Sequence, residues 1–512
     1  MQKRTRFLTT AYCLLPIVYC LLSIVSFAQQ KPEFRGVWVA TVDNIDWPSR
    51  GNFNSDSQKV EFIKLLNMHQ RNGMNALIVQ VRPAADAFYP SPYEPWSEWL
   101  TGKQGTPPQP YYDPLEFMIT ETHKRGMEFH AWMNPYRAEF SIGKSSIAPT
   151  HITRIHPEWF LTYGEKRYFD PGNKEVQLYV TAIVGDVVNR YGVDAIHFDD
   201  YFYPYRIPGK EFPDNAKYIQ YGNGMNKEDW RRSNVDSIIL MLSRTIKKEN
   251  KYCQFGISPF GVWRNADKDS VNGSVTRAGQ TNYDDLYADI LLWLKNGWID
   301  YVAPQLYWEI GHKAAPYEVL VDWWSKHTYG RNCYIGLGIY KAGSNAAWKE
   351  LKQLPRQIET LRNAPNINGM IFFSSKSFNN NPNGWSDSLR NNYYQFPEFP
   401  PPMAWIDSVR PEAPQINSVG LRKRDPFYQV KGAFLQPWNA IKKIAVYVYD
   451  EENRNSDRQL EKVIYFDPTG PKFVLIFPID PLHKTKSFGV TTISNNNVES
   501  TMQVFGWKDL DE

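Results

Sequence analysis

From residue 33 onward the chain alternates two kinds of apolar pattern. Short runs rich in β-branched and aromatic residues occur at 35–41, 76–81, 128–133, 195–199, 254–258, 301–307, 334–339 and 370–374. Apolarity sustained over so short a length suits strands buried on both faces. Between them lie longer stretches in which apolar residues return every third or fourth position, as at 58–70, 175–190, 230–248 and 283–295. That is the period of a helix with one buried stripe. Several of these stretches end shortly before a glycine, at Gly73, Gly126, Gly192 and Gly297, where a left-handed residue stops a helix ahead of the next strand. Eight strand-then-helix units in succession predict an α/β fold, a (β/α)8 TIM barrel over residues 31–396.

The connections are unequal. Helix-to-strand turns are a few residues long, whereas the segments at 83–112, 138–172, 201–226 and 261–282 follow strands and are loaded with Tyr, Trp, Pro and Gly. In such barrels the strand-to-helix loops build the active face, so four long loops predict a walled groove at one end. The run Phe396-Pro-Glu-Phe-Pro-Pro-Pro-Met403 is too rich in proline for helix or sheet, and residues 397–410 read as a stiff linker. Beyond it, short alternating runs at 415–419, 441–449, 463–466, 472–477, 487–492 and 501–504 predict a small all-β immunoglobulin/fibronectin-like sandwich domain over 411–512.

Length and composition agree with two domains: 512 residues with 42% hydrophobic content supply one large core and a smaller one. The formal charge of +4 includes Lys3, Arg4 and Arg6 at the N-terminus, so the rest is near neutral and nothing in it favours nucleic acid. Those basic residues precede an apolar run at 11–27 that closes on Ser26-Phe27-Ala28. This predicts a signal peptide over 1–28, cleaved after Ala28, and hence an exported protein of the periplasm or cell surface. Contact with a membrane is expected only through that leader, if it stays uncleaved. Cys13 and Cys20 leave with the leader, and Cys253 and Cys333 open apolar runs, which suits small buried hydrophobes better than a disulfide framework.

The strongest chemical signal is Val193-Asp-Ala-Ile-His-Phe-Asp-Asp-Tyr-Phe-Tyr-Pro204, a strand that ends in Asp199 and Asp200 at the position on a barrel that hosts catalysis. Two neighbouring carboxylates push their pKa values apart and leave one protonated, the division of labour that glycoside hydrolysis requires. Adjacent aspartates also permit a substrate-assisted route, in which one acid orients the substrate's N-acetyl oxygen as nucleophile and the other donates the proton. Neighbours on a regular strand point to opposite faces, so both reach one site only if the strand bends. Glu309, after the sixth run, is a third catalytic candidate. Arg82, Asp86, Asn134, Arg137 and Gln305 are polar candidates for a sugar-binding rim, and Trp38, Tyr203, Trp263, Tyr307 and Trp308 offer ring faces for pyranose stacking. For each aromatic, plain core packing is the competing account, and for Asp86 it is capping of its loop. No metal and no cofactor are expected: no His pair flanks a Glu at helical ligand spacing, and no nucleophile elbow or phosphate-cradling glycine loop occurs.

In the segments Glu33-Phe-Arg-Gly-Val-Trp-Val39, Gln80-Val-Arg-Pro83, Trp132-Met-Asn-Pro135, Ile196-His-Phe-Asp-Asp-Tyr201 and Pro304-Gln-Leu-Tyr-Trp308, the chain resembles the glycosyl hydrolase-like 10 family of bacterial envelope proteins. The resemblance covers roughly residues 31–395. It implies a barrel hydrolase acting on glycans, with peptide-stripped peptidoglycan strands as a substrate of some members, and a distant kinship with barrels that cut poly-N-acetylglucosamine. It supports Asp199 and Asp200 more than Glu309. The expected function is a glycosidase acting on a bacterial cell-wall or other N-acetylated polysaccharide; the alternative is a catalytically idle barrel that binds glycan or scaffolds the envelope.

Overall fold

The computed structural model describes residues 32–421, 427–434, 440–450, 459–466, 470–478 and 486–505. The expected leader at 1–28 lies outside the described residues. The barrel is closed and made of eight parallel strands. They are β1 (Phe34–Val39), β2 (Ala76–Arg82), β3 (Glu128–Met133), β4 (Ala195–Phe198), β5 (Gln254–Ile257), β6 (Tyr301–Val302), β7 (Asn332–Leu337) and β8 (Gly369–Phe372). Closure comes from β8 pairing with β1 through Phe34 and Gly369. Side-chain alternation sorts each strand into two layers. Phe34, Trp38, Ile78, Trp132, Tyr301, Tyr334 and Ile371 fill the axis, while Val37, Leu77, Phe129, Phe198, Ile335 and Phe372 pack under the helices. So many rings fit one axis because β5 gives way: a Cβ on Gly256 would stand 1.9 Å from the Tyr301 ring.

The expected helices form as Ser55–Arg71, Lys174–Arg190 and Lys227–Glu249, started by Asn54, Asn173 and Asn226, whose side chains accept from backbone N–H groups of the first turn. Two expectations need correction. The stretch at 283–295 is not one helix but two, Asn282–Asp285 and Ile290–Lys295, because Thr281 and Asp289 each cap a separate start and Tyr287 between them has φ +55. Gly73, Gly126 and Gly297 are left-handed, but Gly192 is not; there the chain leaves the helix through an extended Tyr191.

The proline-rich segment is laid against the barrel rather than held clear of it. Arg35 donates to the Phe396 carbonyl at 2.7 Å, Asn75 to that of Glu398 at 3.1 Å, and the Trp405 indole to Asp300 at 2.9 Å. Beyond it stand two antiparallel sheets. One orders Gln415–Leu421, Phe427–Ala433 and Lys472–Pro478; the other orders Gln459–Tyr465, Ile441–Asp450, Lys486–Ser494 and Gln503–Phe505. Val430, Ile444, Val446, Leu475 and Val490 fill the space between them. Phe427–Ala433 is a strand that the apolar pattern did not announce.

This sandwich closes the amino-terminal pole of the barrel. Lys443 is wholly buried and donates to Glu128, at the start of β3, at 3.1 Å. Lys442 bridges Glu128 at 3.1 Å and Asp194, just before β4, at 2.7 Å. Gly126, in the turn before β3, lies under the Val463 carbonyl, which a Cβ there would meet at 2.5 Å.

Candidate active site

The opposite pole is the one the sandwich leaves open among the described residues, and β4 delivers its acids there. His197 keeps the strand's alternation and points into the axis, bonded to Tyr301, Ser258 and Trp38. Regular strand ends at Phe198. Asp199 continues inward and accepts from the Asn134 amide at 3.1 Å and from the Trp132 indole at 3.3 Å. The chain then turns, with the Phe202 N–H donating to the Asp200 carbonyl at 3.0 Å. The turn breaks the alternation that would have sent Asp200 outward, and the Tyr205 hydroxyl donates to Asp200 Oδ2. Asp200 Oδ1 is buried with no donor in bonding geometry among the described residues.

Both carboxyls are raised. Burial lifts Asp199 to about 6, opposed by the Arg137 charge and by the Asn134 and Trp132 donors. Burial and then the Asp199 charge lift Asp200 to about 7, opposed by Tyr205 and by Gln305. The ordering follows from the partners: Asp199 has N–H donors and a guanidinium, whereas Asp200 has a phenol and a like charge. Between about pH 6 and about pH 7 the pair shares one proton, with Asp200 the weaker acid.

Around them the structure gathers some of the expected residues. Asn134 grips Asp199, and its own Oδ1 accepts from the Arg137 N–H at 2.7 Å. Arg137 lies over Tyr201 with its guanidinium 5.9 Å from the ring centre. The Gln305 amide donates to the Ser258 carbonyl at 2.9 Å beside Asp200. Tyr307 stands with Tyr340 and Phe373 at ring separations of 5.9 and 6.0 Å, and Phe373 meets Trp38 at 6.1 Å. This aromatic floor needs small residues on β7 and just after it: a Cβ on Gly336 would stand 3.1 Å from Trp38, and one on Gly338 would stand 3.1 Å from Tyr307. Trp308 lies one ring further out, edge-on to Phe260 at 5.4 Å.

Other candidates are placed elsewhere. Arg82 does not face the groove; its guanidinium pairs with buried Glu94 at 2.5 Å and donates to the Asn134 and Pro135 carbonyls. It therefore sets the backbone from which Asn134 reaches Asp199. Asp86 caps its own loop, accepting from the Ala84 N–H and the Gln104 amide. Tyr203 packs inward from the loop after β4 against Phe212 and Tyr287, and Trp263 packs against Tyr283 and Trp323; both are core rather than sugar platforms. Glu309 Oε2 accepts from the Trp348 indole at 3.1 Å and is not brought to the aspartate pair.

Sequence reasoning did not single out Trp132, Tyr205 or Glu94 for this site. The Trp132-Met-Asn-Pro135 segment and the aromatic run after Asp200 carried a signal for the first two. Glu94 lies in a loop with no local pattern to mark it.

The chain is 48% identical over 411 residues to Glycosyl hydrolase YngK of Bacillus subtilis (strain 168), covering 79% of this chain and 80% of that one. It is 39% identical over 378 residues to Glycosyl hydrolase DigH of Escherichia coli (strain K12), covering 69% and 85%. Among solved structures it is similar to the glycoside hydrolase domain of PgaB (BpsB) from Bordetella bronchiseptica, with a TM-score of 0.44 at 12% identity, covering 70% of this chain and 98% of that domain. The model of the Glycosyl hydrolase-like 10 family matches residues 33–352, and the chain belongs to that family.

Proposed function

We propose that the protein is a glycosidase that cleaves an N-acetylated polysaccharide, with bacterial cell-wall glycan as the leading substrate class, and that it works as an exported protein of the periplasm or cell surface. The observation that carries the reading is the buried carboxyl pair at the end of β4, Asp199 held by Asn134 and Trp132 and Asp200 by Tyr205, where burial pushes the two up to about 6 and about 7. A carboxyl protonated around neutrality is what a general acid must be. In the proposed reaction Asp200 passes its proton to the glycosidic oxygen as the C1–O bond breaks. The substrate's acetamido oxygen closes on C1, and Asp199, fixed by Asn134 and Trp132, accepts the acetamido N–H and balances its developing positive charge. Water then opens the cyclic intermediate at C1, and Asp200 takes the proton back. Glu309, held by Trp348, has no part in this route. The aromatic floor of Trp38, Tyr307 and Phe373 suits the apolar face of a pyranose.

The test offers the purified protein peptide-free peptidoglycan glycan, chitin oligomers, their de-N-acetylated counterparts and neutral polysaccharides. Turnover confined to N-acetylated chains is expected, with a loss of about a hundredfold or more in Asp199→Asn and Asp200→Asn. Equal cleavage of de-N-acetylated chains overturns the substrate-assisted route. Binding without turnover favours an idle, glycan-holding barrel.

A further inference from the structure

A column of hydrogen bonds runs down the barrel axis from the floor of the site to the closed pole. The Trp38 indole approaches His197 Nε2 at 3.2 Å, and His197 Nδ1 lies 2.8 Å from the Tyr301 hydroxyl. That hydroxyl lies 2.9 Å from His130 Nδ1, and His130 Nε2 lies 3.3 Å from Glu128 Oε2. All five side chains are buried.

The direction of each bond follows from the two ends, independently. An indole N–H only donates, so His197 Nε2 accepts. A neutral His197 therefore carries its proton on Nδ1 and donates to Tyr301, and burial keeps this ring well below its ordinary pKa. From the other end, a carboxylate only accepts, so His130 carries its proton on Nε2 and its Nδ1 accepts from Tyr301. Both ends require Tyr301 to accept from His197 and donate to His130. Ser258 Oγ, 3.0 Å from His197 Nε2, also has the Phe198 carbonyl within 3.3 Å and fits either sense.

The lower end is held as a carboxylate by the other domain. Glu128 Oε1 collects three donors, Lys442, Lys443 and Asn497, each at 3.1 Å. Two barrel carboxylates, Glu128 and Asp194, meet two sandwich lysines, so both lysine counter-charges come from the other domain.

We propose that the C-terminal domain is a working part of the barrel: by fixing Glu128 as an oriented carboxylate it sets the direction of the whole column, and so the His197 tautomer that seats Trp38 beneath the site. Glu128 and the two lysines are thus positioning residues.

A substitution can invert the column. In Glu128→Gln the three donors converging at the Oε1 position outnumber the Gln254 amide that meets Oε2 at 3.3 Å, and Gln254, whose own buried oxygen has no partner among the described residues, can turn over to accept; the amide oxygen therefore stays at the Oε1 position and the NH2 group turns toward His130. His130 Nε2 must then accept, its proton moves to Nδ1, Tyr301 turns over, and His197 is left with its proton on Nε2, facing the Trp38 N–H. The test is 15N NMR of the full-length protein with labelled histidine rings. In the unsubstituted protein we expect a neutral His197 protonated on Nδ1 and a His130 protonated on Nε2. In Glu128→Gln both tautomers should exchange, and adding Tyr301→Phe should confine the exchange to His130. An Nε2-protonated His197, or a doubly protonated His130, in the unsubstituted protein overturns the proposal without need of any variant. So does a Glu128→Gln spectrum in which His130 inverts and His197 does not. These readouts need no turnover, so they stand or fall separately from the glycosidase reading, on which only the functional meaning of a seated Trp38 depends.

Discussion

The two poles of the barrel each bury a pair of carboxylates, and the pairs respond in opposite senses. At the open pole Asp199 and Asp200 are raised to about 6 and about 7. At the closed pole Glu128 and Asp194 are held below their ordinary values, although both are buried as deeply. Burial acts alike on all four, so the sign is decided by what each pair faces. The closed-pole pair meets two lysines and several N–H donors. At the open pole the one guanidinium lies on the Asp199 side, and Asp200 has a like charge for a neighbour. One pole uses its acids as glue, and the other withholds the partners that would make them so.

Three measurements bear on that contrast, from the largest expected effect to the smallest. Lys442→Met strips the shared partner from Glu128 and Asp194, and uncompensated buried charge costs about 3–5 kcal/mol. Urea unfolding should show the loss; an unchanged midpoint would mean that the lysine is not the counter-charge. The second concerns pH. The raised acids at the mouth favour folding below about pH 4, and that contribution is lost as pH climbs through about 6 and 7. The lowered acids at the closed pole favour folding above about pH 4.5, and theirs is lost as pH falls. Asp200→Asn should therefore be more stable than the unsubstituted protein at pH 8 by a few kcal/mol, at about 1.4 kcal/mol for each unit of pKa removed, and no more stable at pH 4. Equal stability at pH 8 would sink the claim that Asp200 is buried at a cost. The third is Tyr205→Phe. Removing the donor to the ionised form of Asp200 should move the alkaline limb of the pH–rate profile upward by the equivalent of about 1.5 kcal/mol, and a limb that stays put shows that Asp200 is not the group titrating there.

The same contrast separates what was legible in the chain from what was not. Seven of the eight barrel strands lie within two residues of their apolar runs at both ends, because a strand buried on two faces writes its burial into consecutive residues. At β6 the regular strand ends at Val302 although the run continues to Tyr307, since Pro304 has no N–H to give the ladder and pairing resumes beyond it only as isolated bridges of Gln305 to Phe260 and Gly336. Asp199 and Asp200 were visible because polar residues ending an apolar run are conspicuous, and the need for a bend between them followed from alternation alone. Glu94, Tyr205 and the lysine pair were not visible. Lys442 and Lys443 are two polar positions in a strand of another domain, and nothing local says that one of them enters the barrel. Phe427–Ala433 was missed because its sequence, FYQVKGA, mixes polar and apolar residues too evenly to stand out. Arg82 and Asp86 looked like groove residues because their strand ends there, but their partners, Glu94 and Gln104, come from further along the same loop.

Pro32 lines the same crevice as Phe399 of the proline-rich strap and Val504 of the last strand of the sandwich. The described chain thus enters and leaves the molecule at one pole. A surface that meets the molecule on that side lies away from the strand ends that carry Asp199 and Asp200.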